Sequence, residues 1–294
     1  MVRAPSTRLR IAAYAAYMSS AGRYRLARRG VLSVVVGMLV CVVVAAPVYA
    51  FASRRTHITM AVVPGTSSEG TYGVAFGSST ATCPTGQHVL FGGFENAATG
   101  MRRTANDRWT TYSFMIGNPG QPNPPLSLYS MAYCGYGPVA SKATSTVEIR
   151  YRSGRPSGSA TARCPAGTVV VAGGFATSPH SYVVVTGLER VAADLWRVSA
   201  YPVLSTTHTA LTSIAYCGPG PAPKLVSRTI KTRAYNSFVR ATCPAGRQLV
   251  FGGAIVTGPF DPFLQTLRAR TQSTWAVTGY AGQEGKLTAL AYCR

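Results

Sequence analysis

Cys164-Pro165-Ala166-Gly167-Thr168-Val169-Val170-Val171-Ala172-Gly173-Gly174 is written three times in this chain, with small changes. Cys83-Pro84-Thr85-Gly86 reaches Gly92-Gly93 in the same count, and Cys243-Pro244-Ala245-Gly246 reaches Gly252-Gly253. One tryptophan follows each block, at Trp109, Trp196 and Trp275. Each copy then closes on Ala-Tyr-Cys, ending at Cys134, Cys217 and Cys293. All three tryptophans and six of the seven cysteines fall inside this pattern. Repetition at a nearly fixed period decides the architecture before any local reading does.

Between these anchors the chain reads as strands. Val147-Glu148-Ile149-Arg150-Tyr151 alternates apolar and polar side chains, as a half-buried strand does. Short apolar runs lead into each glycine pair, start at each tryptophan and end at each closing cysteine. Val, Thr and Tyr are abundant and favour extended chain, and beyond residue 52 no stretch keeps a helical period. The expected class is all-β, with four or five strands per repeat. The Gly/Pro clusters Gly135–Pro138 and Gly218–Pro223 are joints. They divide one domain, residues 53–294, into repeats at 55–137, 138–220 and 221–294. Each repeat has the strand number of one small antiparallel sheet. Three such sheets around a pseudo-threefold axis make a β-prism with the tryptophans inside. A row of separate sandwiches is disfavoured, because an 80-residue unit with one bridge is marginal alone.

Residues 1–52 read differently. They hold seven arginines and no acid, and Val31–Ala46 carries no charge at all. Arg28-Arg29 precedes this run; Pro47, Ala50 and Ala52 follow it. A basic start, an apolar core and small residues at a cleavage site make a secretory signal. The alternative is one uncleaved N-terminal hydrophobic helix, Val31–Ala52, long enough to anchor the protein in a membrane. Met18 competes with Met1 as the start. Either way the remainder is expected to be exported, extracellular or on the cell surface.

Six cysteines in an exported chain point to disulfides. They allow fifteen pairings. The repeat makes one bridge per copy the simplest: Cys83–Cys134, Cys164–Cys217 and Cys243–Cys293, each stapling one sheet. Closing loops of this length contributes about 4 kcal/mol in the chain-entropy model. No Cys-x-x-Cys pair exists and no cysteine stands near a histidine at ligand spacing, so neither metal nor cofactor is expected.

The formal charge is +21; the seven leader arginines account for seven of it, leaving about +14 on residues 53–294. The basic residues are dispersed, and export disfavours nucleic acid. Glycan or an anionic cell-envelope polymer is the expected partner. Arg103, Arg190 and Arg270 lie six, six and five residues before their tryptophans. They are the candidate binding residues, a ring of positive charge at one end of the prism. Asp107 and Asp194, each two before a tryptophan, are expected to pair with the arginine of their own turn. The eight acids form no acid/base pair and the four histidines (His57, His88, His180, His208) share no repeat position. No Gly-x-Ser-x-Gly occurs, and the glycine pairs lack the Gly-Lys-Ser/Thr of a phosphate loop. The chain is therefore not expected to be an enzyme.

The pattern resembles a set of exported actinobacterial proteins with Cys-Pro-x-Gly, Gly-Gly, Trp and closing-Cys repeats. More distantly it resembles the vitelline membrane outer layer protein I family. The resemblance implies a β-prism in an extracellular setting and carries no catalytic residue onto this chain. The expectation is a secreted or surface-retained, non-catalytic binding protein for glycan or anionic polymer. The alternatives are a membrane-anchored structural or protein-interaction module and, third, a glycan-active enzyme. What differs between copies, the loops at 95–108, 176–195 and 255–274, should hold the function.

Overall fold

The computed structural model describes residues 55–63, 74–116, 125–150, 158–203, 208–232, 236–259 and 261–294. The expected signal or anchor lies outside the described residues. Each repeat supplies six strands rather than four or five. The first gives β1 (Arg55–Val63), β2 (Val74–Thr82), β3 (His88–Glu95), β4 (Gly100–Ala105), β5 (Arg108–Ile116) and β6 (Leu126–Gly135). The second gives β7 (Ser141–Arg150), β8 (Gly158–Arg163), β9 (Val169–Thr177), β10 (Val183–Ala192), β11 (Leu195–Pro202) and β12 (His208–Gly218). The third gives β13 (Lys224–Lys231), β14 (Ser237–Thr242), β15 (Leu249–Thr257), β16 (Phe263–Ala269), β17 (Thr274–Tyr280) and β18 (Lys286–Cys293).

The strand that sequence reading missed is the second of each repeat. Gly158-Ser159-Ala160-Thr161-Ala162-Arg163 has almost no β-branched or aromatic residue to announce it. Its alternation is nonetheless complete in space, with Ala160 and Ala162 buried.

Three six-stranded antiparallel sheets form the pseudo-threefold prism. Their orders are β1-β6-β3-β16-β17-β14, β13-β18-β15-β10-β11-β8 and β7-β12-β9-β4-β5-β2. No sheet belongs to one repeat. Each joins the first, sixth and third strands of one copy to the fourth, fifth and second of another. Repeat one meets repeat three in the first sheet, three meets two in the second, and two meets one in the third. The expectation of one sheet per repeat is corrected: the copies interlock in a closed ring.

This interlock accounts for the paired glycines. A Cβ on the first glycine of each pair would sit 2.0 Å from the indole of the same repeat: Gly92 on Trp109, Gly173 on Trp196, Gly252 on Trp275. A Cβ on the second would strike a backbone oxygen of the neighbouring repeat, at 2.2 Å from Leu267 for Gly93, 2.6 Å from Met101 for Gly174 and 2.2 Å from Leu188 for Gly253. One glycine makes room for the core ring, the other for the strand that completes the sheet. The bulge of each of these strands falls two residues earlier than the pair, at Leu90, Val171 and Val250. The three tryptophans are buried as expected. Trp196 and Trp275 donate Nε1–H to the carbonyls of Gly174 and Gly253 at 3.2 and 2.9 Å.

The three bridges are Cys83–Cys134, Cys164–Cys217 and Cys243–Cys293, one per repeat. They do not staple single sheets. Cys83 follows β2 and Cys134 lies on β6, and these strands belong to different sheets. Each bridge therefore ties two walls of the prism together. Pro84, Pro165 and Pro244 open the turn after the first cysteine, where Gly86, Gly167 and Gly246 adopt φ of +80°, +80° and +76°.

Candidate functional site

Strands β2, β5, β4 and β9 of the third sheet carry a broad groove of about 330 Å³. It lies on the outward face. Trp109, Thr111, Met101 and Phe175 point to the core and are buried, while the alternating positions face out. Cross-strand register builds one row across the groove: Ser78 opposite Tyr112, and Tyr112 opposite Gly100. Met101 opposite Phe175 places Ala176 next in that row. Gly100 and Ala176 offer almost no side chain, so the floor drops beside the Tyr112 ring.

Aromatic rings form one flank. Phe76 packs edge-on against His180, 4.8 Å between centroids at 70°. Tyr182 packs against Phe76 at 5.5 Å and against Phe114 at 5.8 Å. His180 reaches this position from a turn in which its own φ is +57°, a left-handed conformation uncommon for a side chain with a Cβ. On the other flank, the Arg102 guanidinium lies 5.3 Å from the Tyr112 ring centroid, with Nη2 3.5 Å from the hydroxyl. No Asp or Glu lines the groove. The arrangement offers flat apolar surface, hydroxyls and one exposed cation.

The same row in the other sheets is filled differently. In the first sheet it reads Phe238, Thr278, Thr266, Glu95. In the second it reads Ser159, Ser199, Gly187, Ile255. Only the third sheet combines an aromatic at the second position with small residues at the next two.

The three arginines expected to bind do not form a threefold ring. Arg103 and Arg190 occupy matching places and are half-buried. Their guanidinium carbons lie 4.8 and 4.7 Å from the Tyr216 and Tyr292 centroids. Each donates through Nη2 to a backbone carbonyl, of Ala140 and Pro223 respectively, at 2.5 Å. Burial lowers both pKa values from the ordinary arginine range, and the adjacent tyrosine opposes that shift. In repeat three the matching residue is Ala269, whose N–H donates to the Tyr133 hydroxyl at 2.7 Å. Arg270 is one position further on, exposed, 5.9 Å from the Phe238 ring. The expected ion pair within each turn is also corrected. Asp194 pairs with Arg163 of the adjacent strand β8 at 2.6 Å, not with Arg190. The backbone carbonyls of Asp107 and Asp194 accept the N–H of Cys83 and Cys164, at 2.7 and 2.8 Å.

The sequence reading located part of the groove through the variable loops 95–108 and 176–195. It missed Phe76, Ser78 and Tyr112, which lie outside those loops. The available signal was Tyr112 itself, an aromatic where the other repeats have Ser199 and Thr278.

A second, apolar cavity of about 190 Å³ opens among Ala97, Ala98, Val184, Val185, Phe263 and Leu264. Ala98, Val185 and Leu264 are matching residues of the three repeats, and the alanines of repeat one leave the space. Among the described residues no group of three His, Cys, Asp or Glu could hold a metal ion. No protein-family model matches the chain, and no curated protein matches it in sequence.

Proposed function

We propose that this is an exported, non-catalytic glycan-binding protein whose site is the outward groove of the third sheet. The observation that carries the reading is the row Ser78–Tyr112–Gly100–Ala176, flanked by the Phe76 and His180 rings and by Arg102. A sugar ring presents an apolar face and a hydroxyl edge. An aromatic beside a floor without side chains receives the first, and serine and threonine hydroxyls receive the second. The three disulfides support an oxidising compartment, as outside the cell. The positive charge of the chain favours approach to an anionic envelope.

The test is isothermal titration of the oxidised full-length protein with a panel of neutral and acidic tetrasaccharides. Tyr112→Ala should weaken binding at least tenfold while leaving the melting temperature within a few degrees. Binding of no oligosaccharide at millimolar concentration would overturn the reading. So would binding that Tyr112→Ala leaves unchanged.

A further inference from the structure

Three matching positions on the fourth strands of the repeats carry charge: Arg102, Glu189 and Arg268. Two of them are neutralised within the fold. Glu189 accepts from Arg197 directly across the strand pair, at 3.0 Å from Nε and 2.5 Å from Nη2. Arg268 donates through Nη1 to Glu95 on the neighbouring repeat at 2.8 Å. Arg102 has no carboxylate at ion-pair distance among the described residues.

The reason is a single position. In the first sheet, Thr266 stands opposite Glu95, and Arg268, two residues on, reaches the Glu95 carboxylate. In the third sheet, Met101 opposite Phe175 sets the same register, so Gly100 stands opposite Ala176 and Arg102 is two residues on. Ala176 occupies the place of Glu95. Its methyl group stops where the glutamate would continue, and the unfilled space is part of the groove floor. The arginine and its backbone register are thus retained while the acceptor is missing.

On the glycan-binding reading above, we infer that the ligand is a carboxylate-bearing sugar, such as a uronic acid, whose carboxylate takes the place that Glu95 fills in the first sheet. Arg102 receives it in a bidentate, charge-assisted pair. Contact with the Tyr112 ring holds the guanidinium over the groove before the ligand arrives, which reduces the ordering that binding requires. The sugar ring itself lies toward Tyr112 and Phe76. Carboxylate is preferred over phosphate because the vacancy is that of a planar side chain between two strands. The Arg268–Glu95 contact, from Nη1 to Oε2 at 2.8 Å, shows that an arginine at this place pairs with a carboxylate.

The experiment compares tetragalacturonate, its carboxyl-reduced tetrasaccharide and a phosphorylated tetrasaccharide, titrated into the full-length oxidised protein at low and at physiological salt. The expected result is roughly tenfold tighter binding of the uronate than of the reduced form, with a preference that shrinks as salt rises. Arg102→Met, which keeps most of the stem, should bind the uronate and the reduced form equally. Ala176→Glu should recreate the pair of the first sheet and abolish the preference for the acid, with no loss of melting temperature. Equal binding of uronate and reduced sugar by the unaltered protein would overturn the carboxylate inference and leave the glycan reading standing. Binding of neither would overturn both. Tighter binding of the phosphorylated sugar would reassign Arg102 and overturn the carboxylate assignment.

Discussion

The Tyr216 hydroxyl accepts the backbone N–H of Arg103 at 2.6 Å, across 113 residues of chain, while the Arg103 guanidinium covers the tyrosine ring. Tyr292 and Arg190 repeat the arrangement at 2.8 Å. The tyrosine of each closing Ala-Tyr-Cys thus caps a strand of the preceding repeat in the ring, and at two of the three joints an arginine, Arg103 or Arg190, covers its ring.

Removing either partner should therefore affect stability and not recognition. Tyr216→Phe leaves the Arg103 N–H without its acceptor, at about 1–2 kcal/mol. Arg103→Ala also loses the bond to Ala140 and the ring contact, with a similar cost. Both should lower the denaturation midpoint in urea while oligosaccharide affinity stays within twofold. Arg270→Ala, at an exposed position, should change stability by less than about 0.5 kcal/mol. A loss of ligand affinity in Arg103→Ala at unchanged stability would refute this division of roles.

The glycines should separate into two grades. Gly167→Ala meets open space but must hold φ near +80°, which costs about 1–2 kcal/mol. Gly173→Ala places a methyl group 2.0 Å from the Trp196 ring, and Gly253→Ala places one 2.2 Å from the Leu188 carbonyl. Overpacking of this severity should cost about 3 kcal/mol or more. Equilibrium unfolding of the three variants would rank them, and similar midpoints for all three would contradict the close approach.

Repeats that share sheets cannot be removed one at a time. Deleting the third repeat would strip β14, β16 and β17 from the first sheet and β13, β15 and β18 from the second. The remaining two copies would expose long unpaired edges. A chain ending at residue 220 should lack a cooperative thermal transition and should aggregate. A monomeric fragment with sharp melting would show that the repeats are independent after all.

Alkaline pH should unfold the protein through its buried phenols. Burial pushes the Tyr216 and Tyr292 pKa up to about 12, against the opposing backbone hydrogen bond and arginine charge. Unfolded tyrosine ionises near pH 10. Between these values the unfolded chain has released protons that the folded one keeps, so stability present below pH 10 is lost as pH rises toward 12. Tyrosinate absorbance at 295 nm from these residues should rise together with the loss of near-ultraviolet circular dichroism. A Tyr216→Phe/Tyr292→Phe double variant should show a shallower decline above pH 10. Full ionisation near pH 10 with the fold intact would contradict the burial.

How much could be read beforehand depends on whether a feature repeats or differs. Cys, Trp, Gly-Gly and Ala-Tyr-Cys recur, so periodicity exposed them. The inward tryptophans and the pairing of each cysteine within its own repeat followed from that alone. Strands β2, β8 and β14 are short on sequence signal because small residues, such as Ser79 and Ala81, Ala160 and Ala162, and Ser237 and Ala241, fill most of their inner faces. Arg270 is the arginine nearest before Trp275 in sequence, but Ala269 holds the matching place, and one residue of offset turns a strand position to the opposite face.

By itself, the sequence determined the number of repeats, the β class, the tryptophan core and which cysteines join, because these depend on local composition and on spacing along one chain. Which strands share a sheet was decided only in the tertiary structure. That choice depends on backbones approaching across repeats, as Gly93 does to Leu267, and no local pattern encodes the neighbour. The groove belongs to the same order of information. Its row, Ser78–Tyr112–Gly100–Ala176, is drawn from four strands of two repeats. Its cation is free because Ala176 stands where another wall of the prism has Glu95.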